Sequence, residues 1–454
     1  MKILVLGAGQ VGRTVAAALS RENNDITVVD RNRETLAALE ERLDIKTVHG
    51  QASHPDVLIR AGAEDADLIL AVTDSDETNM IACQVAYTLF QTPVRLARVR
   101  SSAYQKYDGL FGRDAVPITH IINPEALLVN AITHLVEQTE ALQILDFAEG
   151  CVHLVAVKAH AGGPLVGNEL RNLSGSAPAR IVAIYRGNHA IDVDGATVVE
   201  ANDEVFFLAS SNDTAAVLKA FGREIKPTRR VIIAGGGRIG ERLAARIESS
   251  HLVKIIESDR ARCEELSRLL PQSIILHGNV SDASLLKAEV VGDSDMFCAL
   301  TNDDETNILS AILAKRCGVS KSLTIINNPD YLDIVQGDSV DIALAPASFT
   351  IGAILTHIRR GDVLAVHSLR RGVAEAIEII AHGNQQTSRV VGRNASDLPL
   401  PKGTSIGAVI RNGELLFVQP ETVIKMDDRV ILFLQDKKQI TEVEALFQVK
   451  STFL

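Results

Sequence analysis

The strongest constraint on this chain is that it is written twice. KILVLGAGQVGRTVAAAL begins at Lys2, and RVIIAGGGRIGERLAARI begins at Arg230, an offset of 228 residues. The same offset carries His49-Gly50 onto His277-Gly278. It also carries the block Thr73 to Asn79 onto Thr301 to Asn307, identical at five of seven positions. Further on the offset shrinks to 225, where Val166-Gly167 meets Val391-Gly392 and Asp203 meets Asp428. A register shared over so long a stretch defines a duplicated module, and a repeat of this kind decides the fold before any single motif does.

Each module opens with short aliphatic strands alternating with helices. In copy one the strands are Lys2–Leu6, 26–29, 45–48, 68–72 and 94–99, with a helix expected over 12–20 and another from Thr73-Asp76 to about Leu89. Ser53 reads as a helix cap ahead of Pro55 and Asp56. This alternation implies a doubly wound parallel sheet of the Rossmann type. The second part differs: after Asn123-Pro124 a helix runs to about Val136, then come strand-like runs at 151–159, 181–185 and 205–208. Punctuation by Gly162-Gly163-Pro164 and Asp194-Gly195 suggests a small α+β unit rich in strands. The reading is therefore α/β, two tandem Rossmann-like sheets each followed by a small α+β domain. The expected boundaries are 1–123, 124–226, 227–345 and 346–454, with Gly222 to Arg230 as the joint.

Gly7-x-Gly9-x-x-Gly12 follows a strand directly and opens a helix. The first glycine permits the tight turn, the second lets a pyrophosphate approach the backbone, and the third brings helix and strand close. Phosphates would lie on N–H groups at the helix N-terminus, where the dipole favours anions. Asp30 ends the second strand, placed to accept hydrogen bonds from ribose hydroxyls. Copy two supplies Gly235, Gly236, Gly237, Gly240 and Glu257. Both acids disfavour a 2′-phosphate, so NAD-type ligands are expected over NADP, although Arg31 and Arg33 keep the latter open. Thr73-Asp74 and Thr301-Asn302 lie at strand ends, where they either border the ligand or cap the next helix. Arg98 and Arg100 face phosphate or form a surface pair; their counterparts Ile326 and Asn328 are uncharged.

Composition excludes several classes. A net charge of −11 argues against nucleic-acid binding. No apolar run reaches the roughly 18 residues of a membrane span, so any role at a membrane is borrowed from a partner. Met1-Lys2 leads straight into a strand, leaving no room for a signal peptide. Five cysteines without CxxC spacing read as reduced thiols in a cytosolic protein. There is no GxxxxGK[ST], no HExxH and no clustered Cys/His spacing, so neither a P-loop ATPase nor a metal site is expected. His49 and His277, matched between repeats, point to a shared structural or base-flanking role. The Arg359-Arg360-Gly361 and Arg370-Arg371-Gly372 runs read as a solvated face or a docking surface. A dehydrogenase would explain the glycine loops but needs an acid–base pair and a substrate pocket, and none stands out. A regulatory ligand-binding subunit needs only what is visible.

The blocks GAGQVG with Asp30, TDSDETNMIACQVAY, GGPLVGNEL, TNDDETNI and HSLRRGVAEAIE resemble the TrkA family across essentially the whole chain. That family comprises peripheral subunits of Trk potassium-uptake systems, built from paired RCK (regulator of potassium conductance) modules. The resemblance implies an RCK N-terminal Rossmann domain and an RCK C-terminal domain in each copy. It also implies a homo-tetrameric ring at the inner face of the membrane, under a TrkH-type potassium-translocating partner, with no catalysis. The implied ligands are NAD(H) and adenine nucleotides such as ATP and ADP. The implied contacts are Gly7, Ala8, Gly9, Gln10, Val11, Gly12, Asp30, Thr73, Asp74 and Arg98 in copy one. In copy two they are Gly235, Gly236, Gly237, Arg238, Ile239, Gly240, Glu257, Thr301 and Asn302. RCK domains often carry Gly-Asp after the third strand; Gly50-Gln51 and Gly278-Asn279 depart from that.

Overall fold

Why the first repeat folds as it does follows from its aliphatic runs, which leave no polar face. In the computed structural model, Lys2–Leu6 (β1), Leu68–Ala71 (β4) and the centre of Val94–Arg98 (β5) are buried throughout apart from their ends, as a central parallel sheet covered on both sides demands. The structure describes all residues except 21–23, 174–177, 188, 222–227, 291–293, 336–338, 360–361, 370–372 and 450–454. Residues 222–227 of the expected joint and most of the two arginine–glycine runs lie outside the described residues.

Copy one continues from β1 through Gln10–Leu19 (α1), Asp25–Asp30 (β2), Arg33–Glu40 (α2), Lys46–His49 (β3) and Pro55–Ala61 (α3) to β4. Asp76–Phe90 (α4), β5, Ser102–Gln105 (α5) and His120–Ile122 (β6) complete it. The strand order is β3-β2-β1-β4-β5-β6, all parallel. The chain crosses from one side of the sheet to the other between β1 and β4, which opens a crevice at their C-terminal ends. β6, three residues long, is a strand the sequence did not announce. The cap of α3 is His54, with no side-chain bond, rather than Ser53; Pro55 occupies the first turn as expected.

After Pro124–Glu137 (α6) comes an antiparallel sheet: Ala141–Phe147 (β7), Val152–Lys158 (β8), Leu170–Leu173 (α7), Ala179–Arg186 (β9), His189–Ile191 (β10) and Glu204–Ser210 (β11), then Thr214–Phe221 (α8). Its order is β10-β9-β11-β8-β7.

Copy two repeats the plan. Arg230–Ala234 (β12), Arg238–Ile247 (α9), Leu252–Glu257 (β13), Arg260–Leu269 (α10), Ile274–His277 (β14) and Ala283–Val290 (α11) lead to Met296–Ala299 (β15). Asp304–Arg316 (α12), Lys321–Ile325 (β16), Pro329–Val335 (α13), Ile342–Leu344 (β17) and Pro346–Ile358 (α14) follow. The second small sheet is Val363–Leu369 (β18), Ala374–Ile380 (β19), Thr404–Arg411 (β20), Glu414–Phe417 (β21) and Arg429–Leu434 (β22), closed by Ile440–Phe447 (α15). Both sheet orders match those of copy one, strand for strand.

Two compact units result: Met1–Leu127 with Phe349–Ile354, and Leu128–Ser348 with Leu355–Leu454. Within the second unit the two small sheets share one core, Leu154, Phe206 and Leu208 packing with Ala376, Ile431 and Phe433. A Cβ at Gly407 would stand 2.5 Å from Leu208 Cδ1 and 2.8 Å from Val182 Cγ1, so this glycine is what lets the sheets approach. Among the described residues, no helix is long and apolar enough to cross a membrane.

Candidate functional site

The glycine loops occupy the crevices. Gly7 has φ +108°, and a Cβ there would meet Thr73 backbone at 2.9 Å. A Cβ at Gly12 would stand 1.8 Å from the Gly7 carbonyl oxygen, far inside contact distance. Gly235 and Gly240 repeat this, with φ +102° and a 2.1 Å approach. These four glycines are therefore required by the fold. Gly9 and Gly237 are different: each has an ordinary backbone conformation, and a Cβ would meet nothing within 4 Å. The packing gives no reason for glycine at either, whereas a ligand lying against the backbone would. Each begins its helix without any side-chain cap, and no acid stands in the first turn of α1.

Asp30 comes from the end of β2. The Ala8 N–H donates to its Oδ2 at 2.6 Å and the Asn32 N–H to its Oδ1 at 2.8 Å. The carboxylate thus holds the glycine loop in place, and each oxygen keeps a second lone pair for a hydroxyl. Glu257 does the same work with a longer side chain: Gly236 N–H donates to Oε2 at 2.7 Å and Asp259 N–H to Oε1 at 2.8 Å. His49 and His277 are matched in structure as well, donating from Nε2 at 3.1 Å to the carbonyls of Arg31 and Ser258.

The strand-end blocks are clamps. Asn79, fully buried, accepts the Thr73 N–H (2.9 Å) and hydroxyl (2.7 Å) on Oδ1 and donates to the Arg98 carbonyl at 2.9 Å. Asn307 does the same for Thr301 and Ile325. Asp76 accepts the Arg100 and Ser101 N–H groups, and Asp304 those of Asn327 and Asn328. These four residues tie β4 to β5 and β15 to β16. Within this block the clamping residues are Asn79 and Asp76, whereas the sequence points to Thr73 and Asp74. The helix caps are neither of these but Ser75 and Asp303, which accept the Thr78 and Thr306 N–H groups.

Charge separates the copies. Arg98 donates to the Thr73 carbonyl at 2.7 Å, Arg100 donates to the Asp74 carbonyl, and Arg31 pairs with Asp74 at 3.1 Å across the loop. Arg98 Nε is buried without a hydrogen-bond partner, and burial followed by the Arg100 charge pulls the guanidinium pKa down. In copy two, Arg262 bends from α10 to donate to the Gly236 carbonyl at 2.8 Å and pairs with Glu241 in the first turn of α9. In copy one Arg31 and Arg100 thus face the acids Asp74 and Asp76 while Arg98 is held by a backbone carbonyl; in copy two Arg262 is committed to Glu241 and Glu265. Burial pushes the Cys83 and Cys298 thiols up to about 12, so neither supplies a thiolate. Arg359, expected on a solvated face, is instead buried against Glu375 and Glu444.

Comparison with known proteins agrees with this architecture. The TrkA-N domain family matches residues 3–124 and again 231–346, and the TrkA-C domain family matches 154–222 and 385–448. The Trk system potassium uptake protein TrkA of Halomonas elongata is 55% identical over 456 residues, covering 100% of both chains. The chain belongs to the TrkA family. The protein of the same description from Vibrio alginolyticus is 51% identical, again over 100% of both chains. Among solved structures, the GsuK RCK domain is similar with a TM-score of 0.62 at 19% identity, over 98% of this chain and 94% of that one. The GsuK channel bound to NAD is similar with a TM-score of 0.62 at 18% identity, over 98% of this chain and 79% of that one. At such identities these likenesses establish the fold: two RCK-like modules in tandem.

Proposed function

We propose that this chain is the nucleotide-binding regulatory subunit of a Trk potassium-uptake system, acting through nucleotides held on its two glycine loops. The observation that carries the reading is the open space at Gly9 and Gly237, where the packing does not call for glycine, beside acids that fix the loop. The names of the full-length relatives and the NAD bound by the structurally similar GsuK channel support it. The four-part division at 123, 226 and 345 is kept as the domain plan.

NAD(H) and adenine nucleotides would lie with phosphates over residues 7–12 and 235–240, and ribose hydroxyls toward Asp30 and Glu257. Arg98 and Arg100 put positive charge beside the copy-one phosphates, where the matching residues of copy two, Ile326 and Asn328, are uncharged, so the more highly charged nucleotide is favoured in copy one. The strand-end Thr73, Asp74, Thr301 and Asn302 border the ligand, Thr73 and Thr301 being fixed by Asn79 and Asn307. An oxidoreductase is the poorer reading, since the polar side chains beside the loops are already spent on backbone clamps.

The finer mechanism is a ring of four chains beneath a TrkH-type membrane protein, on the inner face of the membrane. A nucleotide gates such a ring only by binding one of its states better than the other. Tenfold discrimination per site amounts to about 1.4 kcal/mol, so eight sites would supply about 11 kcal/mol. Calorimetric titration of the purified chain with NADH, NAD, ATP and ADP tests the binding step. Saturable binding of at least one of them is expected; binding of none would end the reading.

A further inference from the structure

His134 lies near the end of α6, Asp146 on β7 and His153 on β8, where strand register places Asp146 opposite His153. Asp146 Oδ1 stands 3.4 Å from Nε2 of both histidines. One nitrogen from each ring and one carboxylate oxygen all lie within 4.8 Å of one another. A separation of 3.4 Å is long for a charge-assisted N–H···O bond, which sits near 2.7–2.9 Å (about). Asp146 Oδ1 is buried, moreover, and has no hydrogen-bond partner. Two ligands held at about 2.0–2.2 Å from one tetrahedral ion are about 3.3–3.5 Å apart, and the spacing of Asp146 Oδ1 from each histidine matches that geometry.

The surrounding bonds orient these donors. The Thr214 hydroxyl donates to the Ser210 carbonyl at 2.9 Å, so its oxygen accepts from His153 Nδ1, also at 2.9 Å. With the proton on Nδ1, the neutral ring presents an Nε2 lone pair to the carboxylate. Lone pair against lone pair is repulsive unless a proton or a metal cation lies between them. Asn130 Nδ2 donates to the other carboxylate oxygen, Oδ2, at 2.8 Å, and lies 3.4 Å from His134 Nε2. The bonds to His153 Nδ1 and Asp146 Oδ2 lie on the far side of two of the three ligands, the usual support of a metal site. Side-chain exposures of 21%, 30% and 11% place the cluster near the surface.

The second repeat resolves the same corner differently. There Ser368 and Glu375 are the register pair, at the positions of Asp146 and His153 in their strands. Glu375 is met by the buried Arg359 guanidinium at 3.0 Å, which also faces Glu444 at 3.6 Å. Copy two brings its own cation to this corner. Copy one brings two imidazoles and a carboxylate.

We propose that His134, Asp146 and His153 bind a divalent transition-metal ion of the zinc class, with water as fourth ligand, clamping the end of α6 to the β7–β8 hairpin. The full-length protein, stripped with a chelator, would be titrated calorimetrically with Zn²⁺ alone and spectroscopically with Co²⁺. One ion per chain is expected, with the visible bands of four-coordinate cobalt and paramagnetic shifts on two histidine rings of the unmutated chain. His134→Gln, Asp146→Asn and His153→Gln, each checked for folding by metal-free thermal unfolding, should each weaken binding about 100-fold or more. Thr214→Val should weaken it about 10-fold. No zinc binding, binding unchanged in these variants, or cobalt bands of thiolate ligation would each overturn the proposal.

Discussion

Gly9→Ala and Gly12→Ala, three residues apart on one loop, should fail in opposite ways. A methyl at Gly12 would sit 1.8 Å from the Gly7 oxygen. The obstacle is backbone, itself held by the 2.8 Å bond from Gly7 N–H to the Val29 carbonyl, so no rotamer change relieves it. Overpacking of this kind costs about 1–3 kcal/mol, and more where backbone must move. With about 3 kcal/mol lost from a unit of this size, the unfolding midpoint should fall roughly 10 °C. At Gly9 the methyl meets nothing. Loss of a glycine cap and gain from a stiffer unfolded chain nearly cancel, leaving a change within about 1 kcal/mol. The same methyl takes the space where a pyrophosphate meets the backbone. Losing one charge-assisted hydrogen bond there, about 1.5–3 kcal/mol, lowers nucleotide affinity roughly 10- to 150-fold. Differential scanning calorimetry and nucleotide titration on both variants read the two effects. A folded Gly9→Ala protein that binds as tightly as wild type would refute the reasoning, as would a Gly12→Ala protein of unchanged stability.

Three further outcomes follow from the same geometry. Asn79→Ala removes a fully buried amide that satisfies Thr73 and Arg98 backbone; urea unfolding should show a loss of about 2–4 kcal/mol. Lys321 is buried and donates to the Thr139 and Ala141 carbonyls, and desolvation lowers its pKa to about 8. The unfolded chain therefore holds the extra proton between pH 8 and its ordinary value of 10.5, and this group's contribution to stability rises with pH across that window by about 3 kcal/mol. Urea titrations of wild type and Lys321→Met at several pH values isolate it as the difference between the two. Gly407→Ala should cost about 1–2 kcal/mol against Leu208 and Val182, and Leu208→Ala in the same chain should recover part of that in a double-mutant cycle.

How far the sequence could be read depended on whether the physics was local. Glycine loops, strand-end acids and the duplicated blocks sit within short windows: Gly7 and Gly12 make the tight turn and the close helix–strand approach their spacing implied, and Asp30 and Glu257 lie beside the loops, bonded to backbone N–H groups that their spacing did not announce. The β6 strand, His120–Ile122, is too short to carry a pattern, and β7 hides in Ala141–Phe147 because Gln143 and Asp146 interrupt its apolar run. Asn79 was passed over inside a recognised block, since only burial distinguishes a clamp from a surface amide. His134, Asp146 and His153 come from a helix and two strands, a spacing no motif describes. Arg359 looked solvated because its partners Glu375 and Glu444 are distant in sequence.

Control of potassium uptake by a nucleotide on the copy-one loop, as proposed above, is open to a direct test. Asp30 is a poor probe of it, because its carboxylate also pins the Ala8 N–H. Gly9→Ala leaves the packing alone and is the better one. Rubidium uptake, as a potassium surrogate, would be measured in cells lacking this gene and supplied with wild type or Gly9→Ala at matched expression. Wild type should restore uptake, and Gly9→Ala, though folded, should not restore normal nucleotide-dependent uptake. Equal rescue by both, or no change in uptake with either, would contradict it.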